Sequence, residues 1–281
     1  MTDPHIRHIP APPLDAYIDY LFYCDNLIYS REKMLPMTSP HLVVNLGSTI
    51  RVLDTFCSRP LTQLAESSII GAWSVSHIAE WPSNSRFFGV CFKPGGAYPF
   101  LQLPLSELHN QFAALDGIWG GYAAEIRERL YSAPTIQAGF DLFERILLAR
   151  LRDIPYGLKV VQYAIAETAR QHGALSIREL SDDIGISQNH LLTQFNRMVG
   201  VSPKEFAGLY RLQHVLRIVD ATKSVDWAQI AQQSGYYDQA HLTKDFKVRL
   251  GQSPIDYLRL RRQIQAKSPE RGQLVRTLPV D

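Results

Sequence analysis

The sequence has few cysteines, no long apolar run and no N-terminal secretory signal. It has three cysteines in 281 residues, Cys24, Cys57 and Cys91. Their odd number and wide spacing exclude a disulfide framework and predict free, buried thiols in a reducing cytoplasm. No run of about 18 apolar residues occurs, so no membrane span is expected. The N-terminus lacks the basic and apolar segments of a secretory signal.

Catalytic and metal-binding motifs are also lacking. The chain has no G-x-S-x-G, no phosphate-binding P-loop and no G-x-G-x-x-G. His41 and His77 are the candidate metal ligands, but neither has a histidine or carboxylate two or four residues later, so both are predicted to be satisfied structural histidines. The sequence therefore predicts a protein that is not an enzyme and that needs no cofactor or metal.

Charge is divided unequally along the chain. The net charge of +2 combines −3 for residues 1–156, with 12 Lys and Arg against 15 Asp and Glu, and +5 for residues 157–281, with 17 against 12. An excess of basic residues indicates a polyanionic partner, and nucleic acid is the first candidate. The basic half is also the half that contains an internal repeat.

The N-terminal half reads as strands followed by helices. Residues 14–24 predict a short helix or strand, and residues 41–54 a hairpin that turns at Gly47-Ser48. Two further β-rich stretches, residues 68–81 and 85–96, are separated by a turn at Pro82-Ser83-Asn84. Together these stretches predict a small antiparallel sheet or barrel over residues 20–95.

Two amphipathic helices follow the strands. The apolar spacing becomes helical over residues 116–130 and 135–152, and Thr135 is placed to cap the second helix. These helices either pack on the sheet of their own chain or pair with a second subunit, and the intramolecular layer is the favoured alternative.

The C-terminal half contains the same cassette twice, in residues 176–203 and 227–254. Gly185 matches Gly235 at a separation of 50 residues, and Phe195 matches Phe246 at 51, because the second turn has one extra residue. Each cassette predicts two helices joined by a tight turn, the pattern of a helix-turn-helix unit. We call the second helix of each unit its reading helix.

The first unit has clear start and stop signals. Ser176, with Glu179 three residues later, begins its first helix, Gly185 supplies the turn, and Ser187 begins the reading helix. Leu191, Phe195 and Met198 are predicted to face inward. The outward face, which can meet base edges in a major groove, comprises Gln188, Asn189, Leu192, Thr193 and Asn196.

The second unit repeats this design. Asp238 is predicted to cap its reading helix, and Leu242 and Phe246 to face inward. Its outward residues are Gln239, Ala240, Thr243, Lys244 and Lys247. One long helix over residues 203–219 is expected to join the two units and to hold the reading helices in fixed relation, so that one chain enters two successive major grooves.

Several cations near the reading helices have two interpretations. Lys244, Lys247, Arg197, Arg211 and Arg249 either contact DNA phosphates or form surface ion pairs. The sequence leaves this choice open.

Residues 158–262 resemble the DNA-binding domain of AraC-type transcriptional regulators. The resemblance is carried by I-x-E-L-x-x-x-I-G-I-S (177–187), L-x-x-x-F (191–195), G-x-S-P (200–203), I-A-x-x-x-G-Y (230–236) and A-H-L-T-K-D-F-K-x-x-x-G-Q-S-P (240–254). It implies a seven-helix domain in which Asn189, Leu192, Thr193, Gln239, Ala240, Thr243 and Lys244 contact DNA.

The N-terminal half is similar, less specifically, to the sensor half of one branch of this family. The supporting runs are residues 40–47, 89–97 and 115–120. The resemblance implies that this half binds a small-molecule effector or forms a homodimer.

The predicted fold class is therefore α+β, with a β-rich N-terminal domain (1–154), an all-α DNA-binding domain (158–264) and a disordered tail (265–281). The predicted function is a cytoplasmic, sequence-specific transcription regulator that binds double-stranded DNA and recruits RNA polymerase as an activator. Two alternatives stay open: a DNA-repair methyl acceptor that uses a cysteine, and a ligand-independent architectural DNA-binding protein.

Overall fold

A computed structural model of the chain describes residues 5–25, 27, 29–152, 156–173, 176–267 and 277–280. Strands dominate its first part and helices its second, which confirms the predicted α+β class. Within these ranges no helix has the length and apolarity that crossing a membrane requires.

Two antiparallel sheets face each other in the N-terminal half. Sheet A is, in spatial order, His5–His8 (β1), Ile18–Asp25 (β2), Arg86–Phe92 (β9), His41–Asn45 (β4), Ser67–Ile70 (β7) and Phe112–Ala114 (β10). Sheet B is Thr277–Pro279 (β11), Arg31–Met34 (β3), His77–Glu80 (β8), Ile50–Asp54 (β5) and Pro60–Leu64 (β6). The prediction of an antiparallel sheet is confirmed, and the strands divide into two layers.

The predicted hairpin over residues 41–54 is wrong in its pairing. Its two strands, β4 and β5, exist but belong to different sheets. The fully buried Asn45 holds the corner between them, because its amide donates to the carbonyls of Ser48 (2.9 Å) and Leu64 (2.9 Å) and its side-chain oxygen accepts from the Gly47 amide (3.0 Å). The chain therefore crosses from sheet A to sheet B at this corner instead of folding back.

The stretch over residues 68–81 also crosses between the sheets. Its two strands, β7 and β8, lie in different sheets, and so do β8 and β9 on either side of the predicted turn at Pro82. The turn itself is present, since the Ser85 amide donates to the Pro82 carbonyl at 3.0 Å. A run of β-branched and aromatic residues predicts strands but does not show which neighbour each strand pairs with.

The cysteine prediction holds for two of the three thiols. Cys24 and Cys91 are fully buried in sheet A, whereas Cys57 is exposed. Cys57 lies in the turn after β5, where Asp54 accepts hydrogen bonds from the backbone amides of Phe56 and Cys57. A tight turn of this kind leaves the next side chains in solvent.

Helices close the N-terminal half. They are Tyr98–Leu101 (α1), Asp116–Trp119 (α2), Tyr122–Tyr131 (α3) and Ile136–Arg150 (α4), with 3-10 turns at Leu14–Ala16 and Leu105–Leu108. Thr135 caps α4 as predicted, by accepting from the Ala138 amide at 3.1 Å. Phe140, Phe143 and Leu147 are buried in the core that lies against sheet A, so α4 forms the intramolecular layer.

Seven helices make up the C-terminal half as far as it is described. They are Tyr156–Arg170 (α5), Ile177–Ile184 (α6), Gln188–Val199 (α7), Pro203–Ile218 (α8), Trp227–Gln233 (α9), Gln239–Leu250 (α10) and Pro254–Lys267 (α11). The predicted boundary falls at residues 153–157, of which 153–155 lie outside the described residues.

The prediction of a disordered tail over residues 265–281 is corrected at both of its described ends. Residues 265–267 complete α11, and β11 pairs with β3, with Leu278 opposite Lys33. Leu278 is buried against the apolar side chains of the second helix-turn-helix unit, and this burial stabilises the pairing of β11 with β3. Residues 268–276 and 281 of this prediction lie outside the described part.

Candidate nucleic-acid interface

The first helix-turn-helix unit comprises α6 and α7. Ser176 accepts a hydrogen bond from the Glu179 amide (3.5 Å), and Ser187 accepts one from the His190 amide (3.2 Å), so both predicted caps are confirmed. Gly185 adopts the left-handed conformation with φ of 77°, which an L side chain would find strained. Ser176 therefore fixes where α6 begins, Gly185 where it ends and Ser187 where α7 begins.

The two faces of α7 differ as predicted. Leu191, Phe195 and Met198 are buried. Gln188, Asn189, Leu192 and Thr193 are exposed, and Asn196 is half-buried. Leu192 has an exposed fraction of 40%, which is high for a leucine in a well-packed helix.

The hydroxyl of Thr193 already donates a hydrogen bond within α7. Its acceptor is the Asn189 carbonyl one turn earlier, at 2.9 Å. The methyl group is then the part of Thr193 that is available for an apolar contact, and the hydroxyl oxygen can still accept a hydrogen bond.

The second unit comprises α9 and α10, and aspartates cap both helices. Asp226 accepts from the amides of Ala228 and Gln229, and Asp238 accepts from the His241 amide at 2.7 Å. Tyr236 in the turn is buried and donates to Asp245 at 2.8 Å. Burial and the neighbouring Asp245 carboxylate raise the pKa of Tyr236, so the phenol stays protonated and keeps this bond across ordinary pH.

The predicted outward residues of α10 lie away from its core. Leu242, Phe246 and Leu250 are buried. Gln239, Ala240, Lys244 and Lys247 are exposed, and Thr243 is half-buried. The α10 surface therefore presents two ammonium groups, whereas the corresponding α7 surface formed by Gln188, Asn189, Leu192 and Thr193 is uncharged. DNA contact by any of these ten residues stays a prediction.

The joining helix α8 is anchored along most of its length. Ser202 caps it through the Glu205 amide (3.1 Å), and Pro203 occupies its first turn. The six residues predicted to be buried are all buried, five within α8 and Val219 at its C-cap: Phe206, Leu209, Leu212, Val215, Leu216 and Val219. A helix buried to this extent holds the two units in one relative orientation.

Arg249 is the cation whose role the structure settles. Its side chain is only 11% exposed, and it donates to Asp245 (2.8 Å), to Glu205 (2.8 and 3.2 Å) and to the Ser74 carbonyl (3.0 Å). It therefore forms ion pairs, and its guanidinium is not placed to contact phosphate. Burial alone would raise the pKa of Glu205, but the hydrogen bonds from Arg249 and Ser74 lower it below its ordinary value.

Two other arginines are also partly engaged. Arg211 donates to the Gly173 carbonyl at 2.6 Å, and its guanidinium lies 5.5 Å from the Tyr236 ring centre. The guanidinium of the exposed Arg197 lies 5.4 Å from the Tyr98 ring centre. Lys244 and Lys247 remain the exposed cations of α10, so the phosphate interpretation is strongest for these two.

One exposed aromatic residue was missed in the sequence. Tyr237 is 92% exposed and stands immediately before the cap of α10, at the end of the helix that points toward a bound duplex in a helix-turn-helix. The Tyr236-Tyr237 pair was the available signal, because only one of two adjacent tyrosines in a short turn can enter the core.

Family models match two parts of the chain. A model described as a helix-turn-helix domain matches residues 180–260, and one described as a domain of unknown function, DUF6597, matches residues 6–114. No curated protein sequence matches the chain.

Several solved structures are similar to this chain. ToxT from Vibrio cholerae O395 is 13% identical, with a TM-score of 0.42, over 85% of this chain and 96% of that one. Another ToxT structure from Vibrio cholerae is 11% identical, with a TM-score of 0.43, over 91% and 98%. The AraC-like transcriptional activator CuxR is 12% identical, with a TM-score of 0.25, over 75% and 86%.

Proposed function

We propose that this chain is an AraC-type DNA-binding transcription regulator, which reads a specific promoter sequence with α7 and α10 together and activates transcription there; the match of residues 180–260 to a helix-turn-helix domain supports this proposal. The family consists of regulators and not of enzymes. The observation that carries the proposal is the pair of capped reading helices, each with its outward face exposed, joined by the buried helix α8.

Each reading helix offers side chains suited to base edges. Asn189, Gln188 and Gln239 carry amides, and Asn or Gln can bond an adenine bidentately in the major groove. Leu192 and the Thr193 methyl are suited to the methyl group of thymine. An α-helix with its side chains is about 10–12 Å across, which the major groove accommodates.

Affinity is supplied mainly through α10. Lys244 and Lys247 are exposed on this helix and are placed to neutralise phosphates, which adds a salt-dependent contribution that is independent of sequence. The first reading helix would then contribute mostly discrimination, and the second both discrimination and affinity.

The N-terminal half supplies control. A small-molecule effector bound there would alter the docking of the DNA-binding helices or the formation of a homodimer, and an exposed surface of the chain would contact RNA polymerase at the promoter. A regulator of this kind acts in the cytoplasm, where bacterial-type DNA and polymerase are found.

The test is selection of bound double-stranded DNA from a random pool by the full chain. We expect one recovered motif that binds at least about 10³-fold more tightly than random DNA at the same salt concentration. In transcription from a promoter that carries the motif, added protein should raise the yield of transcript. Equal affinity for selected and random DNA would contradict sequence-specific reading and favour an architectural protein, and a lowered transcript yield would contradict activation.

A further inference from the structure

A cavity of about 140 Å³ lies between the two sheets of the N-terminal half. Both sheets contribute to its wall, which includes four large aromatic side chains: Tyr20, Phe22, Phe87 and Trp81. Ligand sites are commonly concave, mainly apolar and fitted with a few polar groups.

Two buried polar atoms on the cavity wall have no hydrogen-bond partner among the described residues. They are Nδ1 of His77 and Nε1 of Trp81. The first observation corrects the prediction that His77 is a satisfied structural histidine. An unpaired buried polar atom destabilises the fold, and a bound molecule that supplies the missing partner removes that cost.

The charge of the wall selects among ligands. Burial lowers the pKa of His77 to about 3, so its ring is neutral near pH 7. Glu32 is buried on the same wall and accepts a hydrogen bond from the Thr277 hydroxyl at 3.2 Å. Arg7, which also lines the cavity, is exposed, and its guanidinium lies 4.8 Å from the Tyr20 ring centre. The buried part of the wall thus carries an acidic side chain and a neutral imidazole, a combination that favours an uncharged ligand over an anion.

We propose that this cavity binds a small, uncharged aromatic molecule that carries a hydrogen-bond acceptor, and that its occupancy alters the docking of α10. Aromatic walls suit a flat ring, the indole N–H of Trp81 requires an acceptor, and the His77 ring can donate or accept according to its tautomer. The regulatory part of this inference rests on the proposed function.

One strand of the cavity wall, β3, also contacts α10 with its opposite face. In β3, Glu32 and Met34 line the cavity, while Lys33 between them donates to the Leu250 carbonyl at the end of α10 (3.2 Å). Alternate side chains of a strand point to opposite faces, so the same short strand contacts the ligand site and the reading helix.

A second segment makes the same connection. His77 lines the cavity, and its ring packs against Trp73 at 4.4 Å between ring centres with a tilt of 50°. Between these two residues, the Ser76 amide donates to the Arg249 carbonyl (2.7 Å), and the Ser74 carbonyl accepts from the Arg249 guanidinium. A ligand that moves the His77 ring therefore acts on a segment bonded directly to α10.

Three probes of matched shape test the ligand class on the full chain: acetophenone, ethylbenzene and benzoate. In NMR spectra of the ¹⁵N-labelled chain, acetophenone should shift the Trp81 indole N–H signal, which is assigned by its loss in Trp81→Phe. Acetophenone should bind at least about tenfold more tightly than ethylbenzene, which lacks the acceptor, and than benzoate, which is charged. Equal affinity for the three probes, or no shift at Trp81, would overturn the ligand class.

Two variants separate binding from coupling. Trp81→Phe should lose at least about tenfold in acetophenone affinity, while Trp227→Phe, whose ring lies in the second unit, should bind like the wild type. Saturating acetophenone should change the DNA affinity of the wild type by about fivefold or more, and that of Lys33→Met by much less. An unchanged DNA affinity in the wild type would overturn the coupling.

The outcomes for acetophenone binding are independent of the proposed function, whereas the outcome for coupling rests on it. A chain that fails to bind DNA contradicts the proposed function and leaves the acetophenone titration intact. A chain that binds DNA specifically but shows no Trp81 shift overturns the ligand site alone.

Discussion

The first reading helix shares a hydrophobic core with the N-terminal half, whereas the second has a core of its own. Phe195 and Met198 of α7 belong to the same buried cluster as Leu105 and Leu108, and the turn after α7 is so close to this segment that a Cβ on Gly200 would lie 2.8 Å from the Leu105 carbonyl oxygen. Phe246 of α10 belongs to a separate cluster, to which the N-terminal half contributes Leu35.

Besides the apolar side chains of Leu35 and Leu278, polar contacts hold the second unit to the N-terminal half. They run from Lys33 to the Leu250 carbonyl, from the Ser76 amide to the Arg249 carbonyl, and from Arg249 to Ser74. Opening an apolar contact exposes surface at about 25 cal/mol per Å², whereas a hydrogen bond exchanged for one to water changes the free energy by only about 0.5–1.5 kcal/mol. Of the two reading helices, α10 can therefore change its docking at the lower cost.

The largest effect should come from truncating the core phenylalanine of each unit. Phe195→Ala and Phe246→Ala should each lower the free energy of unfolding by about 3–5 kcal/mol, because both rings are fully buried. The two variants should differ in how much of the chain is destabilised. Hydrogen exchange should accelerate in α7 and in the Leu105–Leu108 turn for the first variant, and only in α9, α10 and α11 for the second. If hydrogen exchange accelerated over the same segments in both variants, the two reading helices would not differ in how they pack against the N-terminal half.

Removing the ionic link should free the second unit without disturbing the first. Arg249→Met should cost about 3 kcal/mol, because it leaves the Glu205 and Asp245 carboxylates partly buried without their cation. Hydrogen exchange should rise at Ser74–Ser76 and in α10, but not in α7. Unchanged exchange at Ser76 would show that Arg249 does not connect the two parts.

The same link should make stability depend on pH. The folded-state pKa of Glu205 is below its ordinary value of about 4.3, so its stabilising contribution is present above that value and is lost as pH falls through the lowered pKa. Urea titrations at a series of pH values should show a steeper loss below pH ~4.3 for the wild type than for Arg249→Met. Parallel curves would exclude Glu205 as the source.

Substitutions on the reading helices should affect DNA binding and leave stability nearly unchanged. Asn189→Ala and Gln239→Ala should each cost about 1–3 kcal/mol on the selected site and relax one base position, with Gln63→Ala in β6 as the exposed control. Repeating the pool selection with each variant identifies the relaxed position. A uniform loss on all DNA would show that the residue contacts the backbone and does not read a base.

The smallest effect distinguishes the charged helix from the uncharged one. Lys247→Ala should reduce the slope of log affinity against log salt by about one unit, while Gln188→Ala in α7 should leave the slope unchanged. An unchanged slope for Lys247→Ala would mean that its ammonium makes no phosphate contact.

The sequence was most informative where local chemistry decides the structure. Ser176, Ser187 and Asp238 were predicted as caps from their types and positions, and each accepts the expected amide hydrogen bond. The burial of α8 followed from its apolar spacing in the same way. Caps and helical stripes depend on neighbours within about four residues, which a single sequence contains.

Long-range pairing was not predictable in this way. Nothing in residues 41–54 shows that Asn45 bonds to Leu64 and sends β5 into the other sheet, because the partner lies 19 residues away. Two other contacts join residues that are still farther apart in the sequence. They are the pairing of Leu278 with Lys33 in β3 and the ion pair between Arg249 and Glu205, and both depend on the whole fold. The candidate base readers were predicted from the sequence, whereas the polar contacts between α10 and the N-terminal half required the structure.

The most direct test of two reading helices in one chain is a hydroxyl-radical footprint of the full chain on its selected site. We predict two protected stretches on one face of the duplex, about 10–10.5 base pairs apart, with the stretch contacted by α10 weakened selectively in Lys247→Ala. A single protected stretch, or uniform protection of the whole fragment, would contradict the account.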